Sequence, residues 1–300
     1  MKILITGSSG LIGSALIPLL KSEGHRIVRL VRHKSAPGED VAVWDPETGK
    51  LETSSLAQTD AVINLAGENL AGSRWTNEHK KRIRESRIRG TQLLCESLAQ
   101  LAVPPRVLVS ASAVGFYGSR GDEVLIEDSP PGSDFLAGVC KEWEAAAEPA
   151  RQKGIRVVNL RIGMVLSGKG GALTAMLPAF RAGAGGKIGD GRQFVSWIAI
   201  DDLVGAISHA ITTQSLSGPV NATSPNPVRN EEFAKALAKV LSRPAVVPVP
   251  AFAVRMLFGE MADALLLASQ RVQPTRLEAS GFNFQFPEIE AALQHLLKGK

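Results

Sequence analysis

Lys2-Ile3-Leu4-Ile5-Thr6 runs without a break into Gly7-Ser8-Ser9-Gly10-Leu11-Ile12-Gly13. The first five residues form a short apolar run of strand type, and Leu11 to Glu23 has the spacing of a helix that Gly24 stops. Three glycines therefore sit in the turn between a strand and a helix. A first glycine permits the tight turn, a second lets backbone approach a pyrophosphate, and a third lets helix and strand pack closely. The helix N-terminus then offers free N–H groups and the positive end of its dipole to the phosphates. Gly7, Ser9, Gly10, Leu11, Ile12 and Gly13 are the expected dinucleotide-binding turn. Pro18 breaks the local rule, since it should kink the helix that follows.

Outward from this turn the pattern repeats. Arg26 to Arg32, Asp60 to Leu65, Val107 to Ser110 and Arg156 to Leu160 read as buried strands. Asn77 to Ala99 and Phe135 to Arg151 read as helices between them. Short continuous apolar strands alternating with helices imply a parallel sheet covered on both faces. The expected fold is α/β, a Rossmann-type doubly wound parallel sheet with a smaller C-terminal substrate lobe. The cofactor domain is expected at residues 1–163 plus about 196–219, and the lobe at 164–195 and 220–300. Asp201 to Thr212, in the returning cofactor-domain segment, and Asn230 to Leu241 and Ala251 to Ala268, in the lobe, read as helices. Glycines crowd Gly163 to Gly191, as in loops that reach over a cleft. Pro287 opens a last helix.

The end of the second strand selects the cofactor. NAD sites place an acid there to hold the ribose hydroxyls, whereas this chain has Val31, Arg32, His33 and Lys34, with no acid before Glu39. Cations there suit a 2′-phosphate, so NADP is expected; a solvated basic turn is the alternative.

Composition narrows the class. The 300 residues are 44% hydrophobic and 21% charged, which suits a folded core and excludes a disordered chain. A net charge of +5 is a weak basic balance, so no nucleic-acid partner is expected. The basic run Arg74 to Arg89 includes Glu78 and Glu85, and a solvated helix face accounts for it as well as ligand contacts do. Two cysteines, Cys95 and Cys140, make no disulfide framework, and the five histidines have no metal-ligand spacing, so no metal is expected. The chain starts directly on a strand pattern, and Arg255, Glu260 and Asp263 interrupt its most apolar late stretch. A cytoplasmic protein without membrane association, monomeric or homodimeric, is the expectation. Tyr117 is the only tyrosine, and Gly121 stands four residues after it. The chain therefore has no Tyr-x-x-x-Lys pair.

With these residues in view, the chain resembles the extended short-chain dehydrogenase/reductase superfamily, the nucleotide-sugar epimerases and dehydratases. The matching pieces are GSSGLIG, NLAG (64–67), RIRGTQLL (87–94), SASAVGFYG (110–118), LRIGMVLSGKGG (160–171), GDGRQFVSWIAIDDL (189–203) and GPVNATSPNPV (218–228). GENL, ESR, KEWE and the tail from VPVPAFAV to FNFQFP resemble an atypical epimerase-like subgroup with its own C-terminal module. That subgroup is sometimes labelled cell-division-inhibitor-like, a label that no residue here supports physically.

The resemblance implies roles residue by residue. Ser112 matches the serine or threonine that donates to a substrate oxygen; a turn-forming serine is the alternative. Lys141 matches the lysine of the Tyr-Lys pair and would hold the nicotinamide ribose, or else be a solvated helix lysine. Ala137 stands where the tyrosine belongs. Tyr117 resembles a tyrosine lining the substrate side of the cleft, a substitute acid/base or a packing residue. Arg87 replaces an asparagine and would face the cofactor phosphates or ribose, with Arg82 a second candidate. Leu65, Ala66 and Gly67 would bed the adenosine and ribose, Ile162 and Gly163 would flank the nicotinamide, and Glu68 and Asn69 would lie near the substrate. Asp201 and Asp202 read as helix caps. Two functions follow: an NADP-dependent oxidoreductase or epimerase acting on a polar small molecule such as a nucleotide sugar, or a non-catalytic NADP-holding redox sensor acting through a partner.

Overall fold

The computed structural model describes residues 1–32, 40–245 and 247–299. Its first half comprises β1 (Lys2–Thr6), α1 (Leu11–Ser22), β2 (Arg26–Val31), β3 (Val41–Asp45), β4 (Lys50–Leu51), β5 (Ala61–Asn64), α2 (Asn77–Ala99), β6 (Val107–Ala113), β7 (Val124–Leu125), α3 (Phe135–Ala145), α4 (Glu148–Gln152) and β8 (Arg156–Ile162). The second half comprises β9 (Met164–Leu166), α5 (Gly171–Arg181), β10 (Phe194–Val195), β11 (Trp197–Ala199), α6 (Ile200–Thr212), β12 (Gly218–Ala222), β13 (Val228–Arg229), α7 (Asn230–Leu241), α8 (Ala251–Phe258), β14 (Arg271–Val272), α9 (Thr275–Ala279) and α10 (Ile289–Lys298).

Eight strands form one sheet in the order β12-β8-β6-β5-β1-β2-β3-β4. All neighbours are parallel except the β3–β4 edge pair. The chain leaves β1 in one direction through β2 and β3, then returns to β5 on the other side. The gap between β1 and β5 is thus the topological switch point, where ligands bind in such sheets. Strand residues alternate between two cores. Ile3, Ile5, Ile63 and Val109 pack with Leu16 and Leu20 of α1 and Leu203 and Ile207 of α6. Leu4, Val62 and Leu108 pack with Leu94 and Leu98 of α2. A third core joins Leu173 and Leu177 of α5, Trp197, Phe233 and Leu237 of α7, and Leu293 of α10.

Several expectations change. Helix α1 runs through Pro18, whose ring lies on an exposed side where the lost hydrogen bond is water's to replace. The helix expected over Phe135 to Arg151 is two helices, because Pro149 cannot donate across the junction. The stretch Ala251 to Ala268 stops at Phe258, where Gly259 turns with φ +61, and one π turn follows at Ala262–Leu266. Strands β3 and β4 were not expected. The five-residue β3 pairs with β2 on one side and with the two-residue edge strand β4 on the other. Asp202 does not cap its own helix. Its buried carboxylate accepts the backbone N–H groups of Gln285 (2.6 Å) and Phe286 (3.0 Å), tethering the tail, and Asp201 faces His295 at 3.3 Å. Among the described residues no helix is long and apolar enough to cross a membrane.

The C-terminal module reaches back to the first half. Lys80 Nζ meets the Glu260 carboxylate at 2.8 Å and lies 4.6 Å over the Phe135 ring. Met261 packs with Trp75, Ile83 and Leu136.

Candidate active site

At the switch point, β1 and β5 are fastened by one hydroxyl. Thr6 Oγ1 donates to Asn64 Oδ1 (2.7 Å) and accepts the N–H groups of Leu65 (3.1 Å) and Ala66 (3.2 Å). Asn64 Nδ2 continues to Thr91 Oγ1 (2.8 Å), which also accepts from the Trp143 indole (2.9 Å). This buried network fixes the two loops between which a dinucleotide would lie. Gly7 has φ +65, and a Cβ there would stand 2.6 Å from the Leu65 carbonyl. A Cβ on Gly13 would stand 2.5 Å from Gly7 O, so only glycine lets α1 seat on the turn. Helix α1 has no side-chain cap, and Ser9 and Gly10 are exposed. The backbone thus forms an open, uncapped helix start, the cradle a pyrophosphate requires. These residues fit a dinucleotide.

Around the cradle, Arg87 lies against Gly67, its guanidinium 3.2 Å from where a Cβ would be. It donates to the carbonyls of Ile83 and Glu68, both at 3.0 Å, and sits 5.1 Å over the Trp143 ring. Burial holds its pKa below the ordinary value, and no carboxylate pairs with it among the described residues. It is the half-buried cation nearest the loop of Leu65, Ala66 and Gly67. Arg82 is different: it is exposed and paired with Glu78 at 3.2 Å, one helical turn away on the outer face. It is not brought to the cradle, because five residues along a helix turn the side chain far around the axis. Val31 is half-buried and Arg32 exposed at the end of β2, while His33 and Lys34 lie outside the described residues. Arg29, missed in the sequence, donates from Nε to Ser8 Oγ at 3.1 Å beneath the turn. Ile162 is buried at the end of β8, and a Cβ on the following Gly163 would meet Ser196 O at 2.7 Å.

The expected proton-transfer residues are placed otherwise. Ser112 is buried, and its hydroxyl donates to Glu144 Oε1 at 2.8 Å. Glu144 is clamped by Arg161 through Nε (2.8 Å) and Nη2 (2.9 Å). Arg161 Nη1 donates to the Tyr117 hydroxyl (3.0 Å) and the Glu127 carbonyl (3.0 Å), with its guanidinium 3.4 Å over Phe116. Tyr117 is 0% exposed and donates to Asn221 Oδ1 at 2.6 Å. Its hydroxyl is fully used inside the protein, and burial raises its pKa, opposed by Arg161. Of the roles expected for Tyr117, acid/base or packing, its placement within the core favours packing. Ser112 likewise points at Glu144, because it follows Ser110 on the same side of β6. Ala137 is fully buried in α3, and Lys141 on the same helix is exposed. Burial pushes the thiols of Cys95 and Cys140 up to about 12, which keeps them inert near neutrality. No group of three or more His, Cys, Asp or Glu among the described residues is placed to hold a metal.

Arg161, Glu144, Asn221 and Glu127 were missed in the sequence. Arg161 left a signal there: it is a charge inside the apolar strand run Arg156–Ile162, which calls for a buried partner.

Fold and cradle together define a nucleotide-binding α/β protein of the short-chain dehydrogenase/reductase type. The chain belongs to the NAD dependent epimerase/dehydratase family, whose model matches residues 3–222. Residues 249–296 match a domain of unknown function, DUF1731. An epimerase family protein of Mycobacterium tuberculosis is 45% identical over 289 residues, covering 96% of this chain and 95% of its own. The crystal structure of human epimerase family protein SDR39U1 with NADPH superposes with a TM-score of 0.92 at 37% identity, covering all of both chains. A nucleoside-diphosphate sugar epimerase from Corynebacterium glutamicum superposes at 0.83 with 40% identity, over all of this chain and 59% of that one.

Proposed function

We propose that the chain binds NADP(H) and acts as an epimerase-type oxidoreductase on a polar small molecule, a nucleotide sugar being one such class. The observation that carries this is the N-terminus of α1 at the switch point, which no side chain caps and whose first glycine stands against the Leu65 backbone. The human relative crystallised with NADPH supports the same cofactor here. Arg32, with no acid beside it in the described chain, favours the 2′-phosphate form. In this reading residues 1–163 and about 196–219 hold the cofactor, and 164–195 with 220–300 hold the substrate. The cofactor supplies reversible hydride transfer. Gly7, Ser9, Gly10, Leu11, Ile12 and Gly13 hold its phosphates, Arg87 adds positive charge, and Ile162 flanks its reactive ring. Ser112 positions Glu144 and, through it, Arg161. Proton movement falls to Lys141 or to water in the cleft.

One observation favours a second reading, a non-catalytic NADP-holding protein: the hydroxyls of Ser112 and Tyr117 are both spent on internal hydrogen bonds. One experiment separates the two. NADPH binding is read by its fluorescence, and a panel of carbonyl substrates and nucleotide sugars is then offered. The oxidoreductase reading requires turnover; a loss in Lys141→Ala assigns the proton step to Lys141, and unchanged turnover in that variant assigns it to water. Tight NADPH binding with no turnover across the panel makes the second reading correct. Arg32→Ala should weaken NADPH by about tenfold or more while leaving NADH nearly unchanged, from the loss of one charge-assisted hydrogen bond. Equal weakening of both removes Arg32 from the site.

A further inference from the structure

Helix α8, Ala-Phe-Ala-Val-Arg-Met-Leu-Phe, is apolar at every position but Arg255. A helix apolar on all sides belongs in a core. Yet Val254 is its only buried residue. Phe252 is 67% exposed, Met256 68%, Leu257 68% and Phe258 39%. Val247 before it and Leu265 after it are exposed too. Of the ten large hydrophobic residues exposed among the described residues, these six lie within 247–265. The segment is firmly held. Met261 and Ala262 directly after α8 are buried, and Lys80 pairs with Glu260. An anchored helix with an uncovered apolar surface marks a contact face.

We propose that α8 is the interface of a symmetric homodimer, in which α8 of one copy packs against α8 of the other about a twofold axis. Area supports a second copy. The six exposed side chains present about 600 Å² per chain, so two faces bury about 1,200 Å², the lower bound of stable interfaces. Phe252 and Met256 are four residues apart and form one ridge, which a twofold axis sets against its own copy. Charge is compatible with it: Arg255 is neutralised by Asp263 at 2.9 Å and Lys80 by Glu260 at 2.8 Å, which leaves Arg74, against Gly259, as the cation at the end of the face. A membrane-surface helix would instead carry uncompensated Lys and Arg beside its apolar face. The exposed side of α2, with Lys81, Arg82, Arg84 and Arg89, offers no comparable apolar surface.

The test is the mass of the full chain in solution by light scattering after gel filtration. Wild type should have twice the chain mass. The variant M256E/L257E should have half that mass and bind NADPH with unchanged affinity. Met256→Cys supplies a second measurement. Cys95 and Cys140 are buried, so the new thiol is the accessible one, and a short bis-maleimide should convert most of the protein to a covalent dimer. A wild-type monomer at all concentrations overturns the proposal. So does a dimer that survives M256E/L257E, or a Met256→Cys variant that does not cross-link. Flotation of a monomeric wild type with phosphatidylserine vesicles overturns it in favour of a lipid surface.

Discussion

Tyr117→Phe removes one oxygen from a fully enclosed position, and its cost follows from the partners left behind. Asn221 Oδ1 loses its one hydrogen-bond donor among the described residues, since the Asn221 amide nitrogen is turned to the Gln273 carbonyl. Arg161 Nη1 loses one of two acceptors and keeps the Glu127 carbonyl at 3.0 Å. One buried acceptor is thus stranded and one donor weakened, a loss of about 2 kcal/mol, or about 30-fold in the folding equilibrium. The four tryptophans report unfolding in denaturant, so the midpoint is read independently of the deleted tyrosine. NADPH affinity should not change, because the hydroxyl faces Asn221 and Arg161 rather than the cradle. A variant that unfolds like wild type but loses turnover would refute this account, since the hydroxyl would then have to touch substrate.

Other consequences can be measured on the same protein. The single tyrosine makes the ultraviolet absorbance of phenolate a site-specific titration. In the unfolded chain it ionises near pH 10, whereas burial keeps it neutral to higher pH in the folded chain. Stability on this account is full below about pH 10 and falls as pH rises, because only the unfolded chain then gives up the proton. A phenolate midpoint at or below 10 in the folded protein would contradict it. Glu144→Ala leaves Arg161 buried without its carboxylate and should cost about 3–5 kcal/mol. Ser112→Ala, which removes one hydrogen bond to Glu144, should cost only about 1 kcal/mol. Similar losses in both would refute the ranking. Gly13→Ala puts a Cβ 2.5 Å from the Gly7 carbonyl and should cost about 1–3 kcal/mol together with most NADPH affinity. Gly24→Ala, in open space at φ +79, should cost about 1 kcal/mol from backbone strain and leave NADPH binding intact.

What could be read in the sequence was local. The turn Gly7–Gly13 gives itself away through its glycines and flanking periodicities, all within a dozen residues. Helices α2 and α7 begin where expected, because Thr76 caps one and Glu232 accepts the backbone N–H of Arg229 at the start of the other. Strand β3 was missed because a run of five residues has too short a period to stand out. The side-chain network could not be read at all. Ser112 and Glu144 are 32 positions apart, and Tyr117 and Asn221 are 104 apart. Resemblance supplied roles for Ser112 and Tyr117, but a role depends on where the hydroxyl points, and nothing within a few residues of either one determines that.

The displaced hydroxyls follow from how the C-terminal module is held. Glu127 is buried and accepts the backbone N–H groups of Asn221 and Arg276, both at 3.1 Å, and the hydroxyl of Thr275. Arg161 joins the Glu127 carbonyl to Glu144 and Tyr117, and Asn221 joins Tyr117 to the Gln273 carbonyl. Five separated stretches, around residues 117, 127, 144–161, 221 and 273–276, therefore meet in one hydrogen-bonded cluster. A buried ion pair gains little net stability over well-packed apolar residues, because both charges must be desolvated. Its advantage is direction: a guanidinium fork accepts only one arrangement of carboxylate, carbonyl and phenol. In this chain Tyr117, which resembles a loop tyrosine of the family, is bonded through Arg161 and Asn221 to the segments that hold residues 273–276. A proton donor at that position would require breaking the Arg161 and Asn221 bonds, and with them the seat of residues 273–276. Ala137 completes the logic. It is fully buried and carries no hydroxyl, so α3 brings no tyrosine to the place where the family's Tyr-Lys pair would stand.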